Sequence, residues 1–174
     1  MNGLNFRTGV YSDLEELYQL ERSIFGEDSY TRQELQFLLE DTSHSIVYVA
    51  ENKNGIIGFG VSGIRPFLEA VYHNSGPVLS LNIPIKTNEM VGVMKSIAVV
   101  DNPEFRRKGI ASRLVQDRFT WLKDHHIHHV FAHAMPGSNF VSLAHKMNYT
   151  LVEGWMGKTY TDGSEALLFY KRLT

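Results

Sequence analysis

The sequence predicts an α/β fold of the α+β kind, in which strands and helices follow one another in mixed order. Three observations carry that prediction. Mostly apolar runs of strand length recur at residues 45–50, 56–62, 91–100 and 130–135, and 91–100 is rich in Val, Ile and Met. Between the last two, Ile110, Ala111, Leu114, Val115, Phe119 and Leu122 recur at helical spacing. Asn54-Gly55 separates the first two runs and is a strong hairpin signal, because Asn and Gly tolerate the positive φ that tight hairpin turns require.

In chain order, residues 5–10 read as a first strand. Ser12 and Glu15 have the spacing of a capping box, which predicts a helix through Leu14, Leu17, Leu20 and Ile24. Thr31 and Glu34 repeat that spacing ahead of Leu35, Leu38 and Leu39, predicting a second helix. The 45–50 and 56–62 strands follow. After Gly63 the pattern loosens, with Pro66, Pro77 and Pro84, a turn at Asn74-Ser75-Gly76 and one short strand expected at 78–83. Residues 65–90 are therefore read as an insertion between two sheet strands. The 91–100 strand and the helix from Gly109 come next, then a polar stretch at 125–129 and the 130–135 strand. Pro136-Gly137-Ser138-Asn139 opens a helix to about Met147, and strands at 151–160 and 166–172 close the chain across Asp162-Gly163.

The chain has 174 residues, enough to bury about 70% of its unfolded surface in one domain spanning 1–174. A net charge of -2 argues against broad electrostatic binding to nucleic acid, so no nucleic-acid partner is expected. With no cysteine, disulfides, a thiol nucleophile and thiolate metal sites are excluded. No basic start leads into an apolar core, and no run approaches a membrane span, so a cytoplasmic protein without membrane contact is expected. The cluster His125, His126, His128 and His129 has ligand chemistry but no carboxylate set beside it, and no metal is expected.

The stretch Asp101 to Ser112, DNPEFRRKGIAS, holds the strongest chemical signal. It joins a strand to an amphipathic helix through a basic turn bearing a glycine. The first N–H groups of that helix point into the turn, where the positive end of the helix dipole and Arg106, Arg107 and Lys108 converge on any anion. Gly109 lets backbone approach phosphate oxygens without a Cβ in the way, and Ala111 keeps the helix start slim. A pyrophosphate fits this arrangement.

The order Arg106, two residues, Gly109, one residue, Ala111 resembles the pyrophosphate loop of the GNAT superfamily of N-acetyltransferases, Arg/Gln-x-x-Gly-x-Gly/Ala. The resemblance extends over most of the chain, since the element order is also similar; the link from Val99 to Pro103 is longer than usual in that family. It implies a mixed, mostly antiparallel central sheet flanked by helices, with the strand before the loop and the strand after its helix splayed into an acetyl-CoA cleft. It also implies that acetyl-CoA is bound by Ile97, Ala98 and Val99, by Arg106, Arg107, Lys108, Gly109, Ile110, Ala111 and Ser112, and by Ser138 or Asn139 at the last helix. The activity implied is direct transfer of acetyl from the thioester to a primary amine of a small molecule or of a peptide or protein.

That chemistry needs an unprotonated amine and a polarised carbonyl. Many members of the family use a glutamate on the fourth strand and a tyrosine on the last helix. Here Val93 and Ala144 stand at those places. Glu89, four residues before Val93, and His133, in the middle of its strand, are the candidate bases; a solvated carboxylate and a structural histidine are the alternatives. In the insertion, Glu69 is suited to attract a cationic amine and Phe67, Tyr72 and Leu81 to pack its apolar part, or else to cover the sheet or form a homodimer contact. A non-catalytic acyl-CoA-binding or sensing domain is the rival reading, supported by the two missing residues. A nucleotide-binding protein using the same turn ranks below it, because the chain lacks Gly-x-Gly-x-x-Gly and Gly-Lys-Ser/Thr loops.

Overall fold

A computed structural model describes residues 3–71, 83, 85–153, 155 and 160–174. Its strands are β1 (Asn5–Thr8), β2 (Ser45–Asn52), β3 (Gly55–Pro66), β4 (Met90–Val99), β5 (His129–Ala134), β6 (Thr150–Leu151) and β7 (Leu167–Arg172). The helices are α1 (Leu14–Phe25), α2 (Arg32–Glu40), α3 (Phe67–Val71), α4 (Ile110–Asp124) and α5 (Asn139–Lys146). Among the described residues the strands form a seven-stranded sheet in the order β1-β2-β3-β4-β5-β7-β6. β1 with β2, β2 with β3, β5 with β7 and β6 with β7 are antiparallel. β4 and β5 are parallel, in register from Gly92↔Val130 to Met94↔Ala132. The mixed, mostly antiparallel sheet is the one the family resemblance implied. No helix among the described residues is long and apolar enough to cross a membrane.

The chain divides into two compact units, Met1–Gly63 with Lys95–Trp121, and Ile64–Met94 with Leu122–Thr174. In the first, the apolar stripes of α1 and α2 bury Leu14, Leu17, Leu20, Leu35, Leu38 and Leu39 against Val47, Val49, Phe59, Val61 and Ala98. Thr31 caps α2 as expected: its hydroxyl accepts the Glu34 N–H at 3.2 Å, and the Glu34 carboxylate accepts the Thr31 N–H at 2.8 Å. The expected Ser12/Glu15 box is absent. Asp13 stands at the start of α1 instead, behind a 3-10 turn, and its carboxylate accepts the Val10 N–H at 2.8 Å. The reason is electrostatic. Arg7 reaches both Asp13 oxygens, at 2.7 and 2.9 Å, and a charged acceptor so held outcompetes a serine hydroxyl. The Arg7 hydrogen bonds hold the Asp13 carboxyl below its usual range.

The 52–55 turn forms where expected, with Asn52 paired to Gly55 and the Asn52 side chain accepting the Asn54 N–H at 2.7 Å. Gly55 has φ +122°, and a Cβ there would lie 2.2 Å from Glu16 Oε1, which accepts the Ile56 N–H. The other face of this unit packs α4 through Ile110 and Leu114 on Ala50 and Ile57, with Phe6, Ile97 and Val99 alongside. Beneath α4 lies Arg118, fully buried. Its guanidinium donates to Val61 O at 2.9 Å, Ser96 O at 2.8 Å and Leu114 O at 3.1 Å. Gly60 makes room for it, since a Cβ there would stand 2.8 Å from Arg118 Cζ.

In the second unit, Phe67, Val71, Val91, Val93, Phe131, Trp155 and Leu168 form the core. α3 was not foreseen. It is only five residues long and sits where prolines had weakened the pattern; the Phe67 N–H donates to Glu89 O at 2.8 Å and Trp155 Nε1 donates to Val71 O at 2.9 Å. The expected strand at 78–83, Tyr72 and Leu81 lie outside the described residues, apart from Ile83. The long strand expected at 151–160 is shorter, with β6 confined to Thr150–Leu151 and residues 154 and 156–159 outside the description.

Replacing Gly60 by Ala drives a methyl group into a guanidinium that three carbonyls pin in place. Gly60→Ala is expected to destabilise the protein by about 1–3 kcal/mol, read as a lowered urea midpoint at unchanged slope.

Candidate functional site

The site builds upward from β4 into α4, within the first unit. Gly58 allows β3 to come close to β4, because a Cβ there would lie 2.9 Å from Ala98 O. Ala98 belongs to the core under α1 and α2, whereas Ile97 and Val99 pack beside α4. After Val99 the chain is fixed by Val100 N–H to Ile57 O at 2.8 Å and folds sharply, with Asn102 N–H to Val100 O at 2.9 Å. The Asn102 carbonyl then accepts from Phe105 N and Arg106 N, and its side chain accepts the Glu104 N–H at 2.8 Å. Phe105 anchors the turn in the α4 core.

Arg107 and Gly109 take positive φ, +59° and +74°. For Gly109 this bends the backbone into the helix, and nothing lies within 4 Å of where its Cβ would be. Gly109 O accepts the Arg113 N–H at 2.9 Å, so α4 begins at Ile110. Its first turn, from Ile110 through Ala111 to Ser112, directs N–H groups and the positive end of the dipole toward the glycine. Arg106, Arg107 and Lys108 are all exposed. Arg106 is held by Asp101, Nε to Oδ1 at 2.8 Å and Nη2 to Oδ2 at 2.9 Å. The turn thus offers an open, positively biased backbone cradle that suits a pyrophosphate.

Against the same length of β4 stands a residue the sequence reading passed over. Glu21 of α1 is 2% exposed; its Oε2 accepts from Ser96 Oγ at 3.1 Å and its Oε1 from the Tyr30 N–H at 3.4 Å. Burial pushes its carboxyl up to about 7, against the opposing pull of those two hydrogen bonds. The signal was in the sequence: Glu21 is four residues after Leu17 and seven after Leu14, on the apolar stripe of its helix.

The remaining candidates lie in the second unit. His133, half-buried in β5, packs its ring 4.9 Å from that of Trp155. Glu89 precedes β4 by one residue. Its carboxylate accepts the Lys86 N–H at 3.3 Å and stands 3.6 Å from His129 Nε2. His129 is four residues before His133, about 13 Å along the strand, so Glu89 and His133 are not brought together. Burial lowers the pKa of His129 despite Glu89, and its Nδ1 lies 2.8 Å from the Tyr170 hydroxyl. Ser138 forms the start of α5 and Asn139 its first residue; the Ser138 hydroxyl is buried with no hydrogen-bond partner among the described residues. Ala144 is fully buried. Among the described residues no group of three or more His, Asp or Glu is placed to hold a metal ion.

The sequence profile of the acetyltransferase (GNAT) family matches residues 11–145. No curated protein matches the chain. Among solved structures, the fold is similar to Arabidopsis thaliana NAA60 in complex with acetyl-CoA, with a TM-score of 0.79 and 20% identity over 98% of each chain. It is also similar to the NatC complex bound to Gag peptide and CoA, with a TM-score of 0.72 and 17% identity over 99% of each chain. The ribosomal-protein-S18-alanine N-acetyltransferase from Escherichia coli gives 0.65 and 12% identity, over 98% of this chain and 94% of that one. At these identities the likeness is one of fold.

The raised pKa of Glu21 makes stability depend on pH. The folded state holds the proton up to about pH 7 while the unfolded chain releases it near 4.5. The stabilisation is therefore complete below about pH 4.5 and lost as pH rises through about 7, on the order of 3 kcal/mol in all. Denaturant titrations at pH 5 and pH 8 are expected to show this fall in the wild type and its absence in Glu21→Gln.

Proposed function

Because this chain belongs to the acetyltransferase (GNAT) family, we propose that it is an acetyl-CoA-dependent N-acetyltransferase that moves acetyl directly from the CoA thioester to a primary amine. The observation that carries this reading is the turn from Asp101 to Gly109. It delivers an open glycine with φ +74° to the start of α4. The residues present fit CoA. Backbone at Gly109, Ile110, Ala111 and Ser112 would hold the pyrophosphate, with Arg106, Arg107 and Lys108 neutralising its charge. Ile97, Ala98 and Val99 would pair with the amide groups of the pantetheine arm. Ser138, whose hydroxyl has no hydrogen-bond partner among the described residues, and Asn139 are the proposed further donors.

Bound acetyl-CoA supplies an activated thioester carbonyl. The protein's part is to orient it, to exclude water and to take a proton from the incoming amine. His133 is the proposed base, since a neutral imidazole accepts a proton near neutral pH. Glu89 is the alternative, acting through water. With Ala144 buried where the family commonly has tyrosine, the thiolate would leave without a side-chain acid, as a thiol of moderate pKa allows. The acceptor is a small molecule or the amino terminus of a peptide or protein. The solved neighbour bound to Gag peptide and CoA supports the peptide class. The chain is read as one domain, 1–174, with 65–90 inserted, acting in the cytoplasm and capable of forming a homodimer. A CoA-binding domain without turnover is the second reading, favoured by Val93 and Ala144.

Steady release of free thiol from acetyl-CoA with a panel of primary amines and short peptides separates the two readings. Acetyl-CoA is expected to raise the melting temperature of the wild type. Gly109→Glu, which sets bulk and negative charge in the cradle, is expected to abolish that shift and to weaken binding by at least about a hundredfold, or 2.7 kcal/mol, in calorimetry. Equal affinity in wild type and variant would remove the phosphate-loop assignment.

A further inference from the structure

Glu21 is a buried acid that the proposed chemistry does not use, and its contacts join parts of the chain distant in sequence. Through Ser96 Oγ it reaches β4, and through the Tyr30 N–H it reaches the turn between α1 and α2. The carbonyl of the same Ser96 accepts from Arg118 of α4, whose Nη1 also donates to Val61 O of β3. One residue of β4 is thus bonded to α1 by its side chain and to α4 by its backbone. The next three residues are Ile97, Ala98 and Val99.

We propose that Glu21 is a positioning residue that ties the α1–α2 turn to the Ser96–Val99 stretch of β4, so that acetyl transfer carries the ionisation state of a carboxyl that touches neither reactant. The inference rests on the acetyl-transfer reading above. As a carboxylate, Glu21 accepts both bonds. Once protonated it carries an O–H of its own, and the Ser96 hydroxyl must turn from donor to acceptor to receive it. The direction of the hydrogen bond on β4 therefore reports the proton on α1. Charged groups stand on each element around this point: Arg22 on α1, bonded to Gly26 O and Ser29 Oγ; Glu27 and Asp28 in the turn; Arg32 and Glu34 at the start of α2; Lys95 on β4; and Arg118 on α4. Burial and the two hydrogen bonds set the Glu21 pKa to about 7, inside the range where an enzyme would be assayed.

The test is the pH dependence of acceptor kcat/KM from pH 6 to 9, by thiol release with acetyl-CoA and the same amine and peptide panel, in wild type, Glu21→Gln and Ser96→Ala. Acetyl-CoA affinity is measured in parallel by calorimetry. The inference expects an ionisation near 7 in the wild type that is missing from both variants. It also expects kcat/KM at pH 8 to be lowered by about tenfold, with acetyl-CoA affinity kept within about twofold. Ser96→Ala keeps the comparison available where Glu21→Gln fails to fold. Variants that melt earlier yet retain the wild-type pH profile overturn the inference and leave the transferase reading intact. A wild-type protein that binds acetyl-CoA but releases no thiol with any amine overturns the transferase reading, and the inference with it.

Discussion

The arrangement turns on a cation buried under a helix. Arg118 carries its charge into a site closed to solvent, which is tolerable only because carbonyl oxygens surround it. Those carbonyls come from β3, from β4 and from its own helix. The bonds fix the height and rotation of α4 over the two strands, and hence the point at which its first turn meets the basic loop. Apolar packing of Ile110 and Leu114 presses the helix down but leaves it free to slide; hydrogen bonds to particular carbonyls do not. The absence of a side chain at Gly60 is what permits this.

Much of this was legible in the sequence. Periodicity located α1, α2 and α4, the Pro136–Asn139 turn announced α5, and the hairpin after Asn52 and the helix start after Gly109 formed where expected. The Thr31/Glu34 box formed as expected, its two partners bonding each other reciprocally. The Ser12/Glu15 box failed because Arg7, on another element, holds Asp13 in a better position to accept. Glu89 was placed by strand alternation, but β4 begins one residue after it and the carboxylate turns toward Lys86 and His129. The misses share a cause: each depends on a partner on another element of the fold. Glu21 shows this most clearly, since a glutamate on an apolar stripe is visible as an anomaly, while its bond to Ser96 spans 75 positions.

Basic residues at the loop do not act as three equivalent charges. Arg106 is already paired with Asp101 in a two-point contact on the surface, a bond worth little to stability but sufficient to restrict the side chain. An anion arriving at the proposed cradle would meet one cation held in orientation by Asp101 and two further exposed ones, Arg107 and Lys108. In that proposal, backbone N–H groups would supply the shape of the site and the side chains its sign.

The hairpin turn at residues 52–55 has a further consequence. It is polar, rich in Asn and Gly and close to the surface, the usual description of a place where foreign sequence can be spliced in. Glu16, on the first helix, accepts the Ile56 N–H and occupies the space a side chain at Gly55 would need. Lengthening the turn would break that bond and crowd side chains against Glu16, so an affinity tag or reporter belongs elsewhere on this protein.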